Sequence, residues 1–259
     1  MLLAVWTLWL RELVRFYRDR HRMFGSFGQP LIFWLLIGSG FGGSFRAPAA
    51  AGGGSYLEYL YPGTLMLVLL FTAIFSTISV VEDRREGFLQ SVLASPISRS
   101  GVALGKLLGG TTMAAIQGVI FLVLALVFGM PFRPAGAACA LAPIFLAAFG
   151  MTGLGFCIAW RMRSTAGFHA IMNVFLMPLW LLSGAFFPRA GAPAWLGFVM
   201  DINPLTYAMS LLRRALYLRL PFQPEGLPPL SLSVGVTVLF AGLALAVSTL
   251  SVRRGSPDP

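Results

Sequence analysis

Six stretches of the chain carry no charged side chain: residues 23–45, 59–81, 107–132, 134–160, 164–188 and 226–252. The shortest of them holds 23 residues. A helix rises about 1.5 Å per residue, so roughly 20 apolar residues cross the hydrocarbon core of a bilayer. Backbone inside that core must satisfy its own hydrogen bonds, which leaves helices as the form such stretches take. A large helical soluble core is the alternative, and composition argues against it. Soluble domains carry about 25% charged residues, whereas this chain has 11%, with 57% hydrophobic. The expected fold class is an all-α integral membrane protein: a single transmembrane domain over 1–259 with six transmembrane helices.

The few charges set the orientation. A net charge of +10 also occurs in nucleic-acid-binding proteins, but here the basic residues flank the apolar stretches. Basic residues accumulate on the cytoplasmic side of spans. With a cytoplasmic N-terminus, that side holds Arg11, Arg15, Arg18, Arg20, Arg22, Arg84, Arg85, Arg99, Lys106, Arg161, Arg163, Arg253 and Arg254, 13 of the 19 Lys and Arg. The outer side holds the other six: Arg46, Arg133, Arg189, Arg213, Arg214 and Arg219. Both termini are therefore expected in the cytoplasm of a multi-pass bacterial inner-membrane protein, whose partner is the lipid bilayer and not nucleic acid. The stretch 23–45 follows basic residues and precedes Ala47, Ala49, Ala50 and Ala51, as a cleaved signal would. A signal's apolar region is about 7–15 residues, so a retained first span is expected.

Cys139 and Cys157 share one stretch. On one helix they lie about 27 Å apart, beyond the roughly 7 Å Cα separation of a disulfide. The histidines are His21 and His169, and no metal-ligand spacing occurs.

Residues 1–22 place Leu2, Trp6, Leu10, Leu13, Val14 and Tyr17 at helical spacing, with Thr7, Arg11, Arg15, Arg18 and Asp19 on the other side. Such an amphipathic helix suits the membrane interface. The spans are expected at 24–44, 58–81, 107–130, 135–160, 165–187 and 228–250. Pro30 is expected to kink the first, and an Ala- and Gly-rich loop follows over 45–57. The outer segment 188–225 is largely apolar, yet its candidate helices over 194–200 and 205–218 are too short to cross. Asn203-Pro204 separates them, and the residues from Asp201 to Asn203 supply a cap. They read as re-entrant or interfacial elements, whose backbone must be buried in protein or line an aqueous cavity.

The polar segment 82–106 reads EDRREGFLQSVLASPISRSGVALGK. It opens with Glu82, Asp83, Arg84, Arg85 and Glu86, followed by Gly87. Phe88, Leu89, Val92 and Leu93 then make an apolar face at helical spacing, and Ser95-Pro96 stops the helix. Ser100-Gly101 restarts it, and Lys106 marks the membrane boundary. A short amphipathic helix over 83–97, lying on the cytoplasmic surface, is a form that seats in a partner's groove. A solvated loop helix is the plainer alternative.

The residues Glu82, Glu86-Gly87, Leu89, Leu93, Ser95-Pro96, Arg99 and Gly105-Lys106 resemble the signature of type-2 ABC exporter permeases, a family that includes drug, lipooligosaccharide and polysaccharide exporters. Asn203-Pro204-Leu205-Thr206-Tyr207, followed by Arg213-Arg214, is similar to that family's element before its last span. The chain departs at Phe88 and Gln90, where many members carry Thr and Glu. The resemblance implies an N-terminal interface helix, a coupling helix after span 2 and outer gate helices before span 6. It also implies a half-transporter, in which two permeases, most simply a homodimer, work with two soluble ATPase subunits. Glu82, Asp83, Arg84, Arg85, Glu86, Gly87, Phe88, Leu89, Val92, Pro96 and Arg99 are then the expected ATPase-docking residues. Asp201, Asn203, Pro204 and Tyr207 are the expected outer-gate residues.

The chain contains no G-x-x-x-x-G-K-[ST] loop, since Gly105-Lys106 lacks the upstream glycine and the following Ser or Thr. It is therefore expected to be no enzyme itself, with ATP and Mg held by the partner ATPase. The polar residues within the spans are mild: Gln29, Thr64, Thr72, Ser76, Gln117, Thr152, Asn173 and Ser183. Helix–helix hydrogen bonding accounts for such residues, but intramembrane polar groups also mark transport paths. The family lines its path with spans 1, 2 and 5, which points to Gln29, Thr72, Ser76 and Asn173. An uncharged path suits an amphipathic or lipid-linked substrate. A secondary carrier would show intramembrane carboxylates or inverted repeats. A membrane enzyme would show a catalytic set, and Gly38-Ser39-Gly40 lacks the Gly-x-Ser-x-Gly spacing.

Overall fold

The computed structural model describes residues 2–40, 56–189, 191–218 and 226–255. Of the loop expected over 45–57, residues 45–55, with the small residues 47–51 among them, lie outside the described residues, as does the segment 219–225, and residues 56 and 57 open a helix instead. The described chain is a helical bundle. Its elements are α1 (Leu2–Arg18), α2 (Arg20–Gly40), α3 (Tyr56–Ser76), α4 (Ile78–Arg85), α5 (Phe88–Ala94), α6 (Arg99–Val127), α7 (Pro134–Ala159), α8 (Thr165–Trp180), α9 (Ala194–Ile202), α10 (Pro204–Leu216) and α11 (Leu230–Arg253). A π-helical turn, Leu181–Ala185, continues α8.

Five of the described helices are long and apolar enough to cross a membrane: Tyr56–Arg85, Arg99–Val127, Pro134–Ala159, Thr165–Ala185 and Leu230–Arg253. The first expected span falls on α2, which is not among them. Gly25, Ser26, Gly28, Gln29 and Pro30 dilute its apolar run.

The second span differs from its expected range. Helices α3 and α4 run as one 30-residue element from Tyr56 to Arg85, interrupted only by a turn at Thr77. Thirty residues of helix measure about 45 Å, well beyond the roughly 30 Å of a hydrocarbon core. The last turn, carrying Glu82 to Arg85, therefore has the length to project beyond the apolar layer. The segment expected as one helix over 83–97 begins inside this long helix. It breaks at Gly87 (φ 75°), a conformation glycine adopts without strain, and resumes as α5 over Phe88–Ala94.

Helix α3 is the centre of the bundle, packing against α2, α6, α7, α8 and α10. Its run from Leu65 to Ile74 is buried throughout. Small residues allow the helices to approach closely. A Cβ on Gly153 of α7 would stand 2.5 Å from Ala244 of α11. Gln117 of α6 hydrogen-bonds Ser26 of α2 at 3.1 Å and accepts from Thr72 of α3, tying three helices through buried polar groups. Helix α2 lies along the full length of α3. Gly25, Ser26 and Glu82 border one cavity near the α5 end, and at the far end Trp34 donates to the Leu57 carbonyl at 3.0 Å. Both cysteines are unpaired, with Cys157 in contact with Ser248.

Candidate functional site

At the α5 end, α1 lies across α6. Gly105 and Gly109 make this possible: a Cβ on Gly105 would stand 2.9 Å from Leu8, and one on Gly109 2.6 Å from Glu12. The face of α1 turned inward is Val5, Leu8 and Glu12. The side expected to meet the membrane interface, with Leu2, Trp6, Leu10, Val14 and Tyr17, is exposed.

Close packing carries Glu12 into the bundle, where it meets two other buried charges. Glu12 is 3% exposed, Asp83 of α4 0% and Lys106 of α6 5%. The Lys106 ammonium donates to Glu12 Oε1 at 2.5 Å and to Asp83 Oδ2, with Ser79 Oγ at 3.4 Å. Arg11 grips Asp83 with two hydrogen bonds of 2.6 and 3.0 Å, and Arg15 adds a third at 2.7 Å. Arg15 also pairs with Glu82 at 2.8 Å and approaches Glu86 at 3.8 Å. Burial works to lower the Arg11 pKa, yet its hydrogen bonds to Asp83 hold it above the ordinary value. The Arg11 guanidinium also covers the Phe88 ring of α5 at 3.7 Å, a cation–π contact. Buried charges persist only when paired and hydrogen-bonded. This cluster meets that condition with groups from α1, α4 and α6, beneath the first turn of α5.

The expected docking residues therefore divide. Asp83 is buried and paired within the chain, with Arg11, Arg15 and Lys106. Arg84 donates to the Met162 carbonyl at 2.9 Å and to that of Trp160, closing the end of α7. Arg99 does the same for α11, donating to the carbonyls of Val252 and Arg253 at 3.1 and 3.3 Å. Cations at helix C-termini satisfy the orphan carbonyls there. Leu89 is 3% exposed and packs into the chain's own core, while Phe88 and Val92 are half-buried against that core. The accessible surface is instead Arg85, Glu86, Gln90, Ser91, Ala94 and Pro96, with Gly87 at the hinge. An open groove of about 920 Å³ beside it is lined by Leu10, Val14, Arg15, Arg18, Glu82 and Glu86, among others.

Glu12 and the pairing of Lys106 were missed by sequence reasoning. The signal was present: positions 5, 8 and 12 share one helical face, and an acid there demands a buried partner.

The expected outer-gate residues come together at the opposite end. Asn203 Oδ1 accepts from Leu205 N at 3.0 Å, capping α10, and its Nδ2 donates to the Leu179 carbonyl at 2.7 Å. Pro204 opens α10. Asp201 pairs with Arg189 through hydrogen bonds of 2.7 and 2.5 Å, which raise the Arg189 pKa. The Tyr207 hydroxyl donates to the Asp201 carbonyl at 2.7 Å.

The four expected path residues do not share one place. Gln29 lines a cavity of about 500 Å³ with Ser26, Phe71, Phe75 and Ile78, and His169 of α8 lines it too. Thr72 turns to Gln117 and Ser76 to the Ala73 carbonyl, both buried in the bundle. Asn173 is on an exposed face of α8, next to Val174 and Phe175. Among the described residues, no group of three His, Cys, Asp or Glu is placed to hold a metal.

These features define a multi-pass helical membrane protein with a charged joint at one end and a capped helix pair at the other. Residues 3–217 match the ABC-2 type transporter family, and the chain belongs to it as a membrane permease component. Curated relatives agree. The daunorubicin resistance ABC transporter permease protein DrrB1 of Streptomyces coeruleorubidus is 24% identical over 218 residues, 83% of this chain and 75% of that one. Nodulation protein J of Rhizobium leguminosarum bv. trifolii is 26% identical over 193 residues, 74% of this chain and 72% of that one. The transport permease ycf38 of Cyanophora paradoxa is 27% identical over 190 residues, covering 71% of this chain but only 64% of the ycf38 protein's own length.

Proposed function

We propose that this chain is the membrane-spanning half of an ATP-driven exporter, energised by a separate soluble ATPase that holds ATP and Mg. The observation that carries this reading is the ionic cluster of Glu12, Asp83 and Lys106. It fastens α1, α4 and α6 together directly under α5, so a push on α5 reaches three helices at once. The ATPase docks on Arg85, Glu86, Gln90 and Ser91 and in the adjoining groove. Nucleotide binding draws two ATPases together, and the bundle moves with the joint as a near-rigid body.

In this reading α2 is the sixth span. Its 21 residues give about 32 Å of helix, and it lies beside α3 from end to end. Helix α1 rests in the membrane interface with Leu2, Trp6 and Tyr17 toward the acyl chains, and both termini are cytoplasmic in a bacterial inner membrane. A second copy faces the side bearing Gln29, His169 and Asn173, which closes the 500 Å³ cavity into a path. Asp19 and Glu82 border that cavity together with Phe71, Phe75 and Ile78, a mixed charged and apolar lining that suits an amphipathic or lipid-linked substrate. The outer helices α9 and α10 form the exit gate.

The test is reconstitution of the permease with its cognate ATPase in vesicles. Glu86→Lys and Gln90→Arg are expected to abolish stimulation of ATP hydrolysis and export together, with unchanged insertion and thermal stability. Export that persists in both variants, or that proceeds without any ATPase, removes the reading.

A further inference from the structure

A second cavity lies at the end of the bundle remote from α5. It measures about 50 Å³ and is lined by Tyr59, Ser183, Arg189, Thr206, Ser210 and Arg213, among others. Space of roughly 10–15 Å³ on this measure already holds one water, so a small polar group fits here. Its floor is a buried cation. Arg213 is 6% exposed, and among the described residues its donors reach the Gly184 carbonyl at 2.9 Å and the Ala185 carbonyl at 3.5 Å. Its guanidinium carbon lies 4.2 Å from the centre of the Tyr59 ring. Among the described residues, no carboxylate forms an ion pair with Arg213; the Asp201 carboxylate beside the cavity is taken by Arg189. Two buried polar atoms at the cavity have no partner among the described residues: Arg213 Nε and Tyr59 Oη, on a tyrosine 5% exposed.

A buried guanidinium is expensive to leave without a counter-charge. An orphaned N–H and an orphaned hydroxyl beside it form a donor pair that suits an acceptor oxygen. We propose that this cavity binds a compact oxyanion, a phosphate or carboxylate group, held by Arg213 Nε and the Tyr59 hydroxyl. The same chemistry is offered by a free anion and by the headgroup of an acidic lipid. The site lies between α3, the π-turn after α8 and α10, so an occupant pins the break at Gly184 (φ 79°) to the gate helix. This inference does not rest on coupling to an ATPase.

The experiment is thermal unfolding of the full chain, purified in an uncharged detergent, at matched ionic strength and a fixed scan rate. The titrants are inorganic phosphate, acetate and, separately, phosphatidylglycerol, with chloride as reference. The expected result is a midpoint raised by about 2–4 °C at saturation, a rise that Tyr59→Phe and Arg213→Gln each diminish or abolish. Tyr59→Phe removes one oxygen and keeps the ring, so it remains informative if Arg213→Gln does not fold. A response to phosphate identifies a free anion, and a response to phosphatidylglycerol alone identifies a headgroup; both support the site. No oxyanion-specific rise, or an equal rise in wild type and Tyr59→Phe, overturns it and leaves water as the occupant.

Discussion

The two ends of the bundle handle buried cations in opposite ways. At the α5 end, Lys106 has Glu12 and Asp83 within hydrogen-bond reach, and Arg11 and Arg15 complete the set. At the other end, Arg213 has backbone carbonyls and an aromatic face, with one N–H unserved among the described residues. A closed cluster is a structural joint, because every charge in it is already answered. An open one is a place where something is added. The contrast also separates the resemblance-derived motif by purpose. Gly105 and Lys106 sit side by side because one admits α1 and the other neutralises what α1 brings.

The largest expected effect breaks the closed cluster. Asp83→Asn or Lys106→Met leaves an uncompensated buried charge and should cost about 3–5 kcal/mol, read as thermal unfolding in detergent. The double variant Glu12→Gln with Lys106→Met should cost less than the sum of its parts, because it removes a cation with one of its acids. Additivity would show that the two do not interact. Next is Gly109→Ala, whose new methyl meets Glu12; overpacking of this kind costs about 1–3 kcal/mol. At the open end, Arg213→Met exchanges an incompletely served cation for an apolar side chain, and a loss of only about 1–2 kcal/mol is expected in the same assay. A loss as large as that of Lys106→Met would erase the contrast. Smallest in stability is Gln90→Arg on the exposed side of α5, expected within about 0.5 kcal/mol of wild type while abolishing stimulation of the partner ATPase.

Much of this architecture is legible in the sequence because membrane spans need length and apolarity, and both can be read along a single line. The stretches around 107–130, 135–160 and 228–250 fall on α6, α7 and α11, with α6 beginning earlier, at Arg99. The breaks at Ser95-Pro96 and Asn203-Pro204 carry their own turn and cap chemistry, whereas the break at Gly87 divides a segment expected as one helix. What pairs across the fold is not legible in that way. Asp83 looked like one of five equivalent surface charges, and only the approach of α1 permitted by Gly105 and Gly109 turns it inward. Leu89 and Phe88 looked like a partner's contact face, but the chain's own core takes one and Arg11 covers the other. Thr72 and Ser76 share a helix with the cavity wall yet point away from it, a distinction of about one-quarter turn that spacing alone does not resolve. Helix α2 falls between classes because its glycines, Gln29 and Pro30 lower its apolarity without shortening it.

The central claim is that the accessible side of α5 receives a soluble ATPase. Cysteine placed at Gln90, with Cys139 and Cys157 replaced by serine, allows this to be measured directly by cross-linking in native membranes during active export. The account predicts a cross-linked species containing one nucleotide-binding subunit per permease, lost when Glu86 is also changed to Lys. Undiminished export with no cross-link to a nucleotide-binding protein at Gln90 or at Ser91 would contradict it.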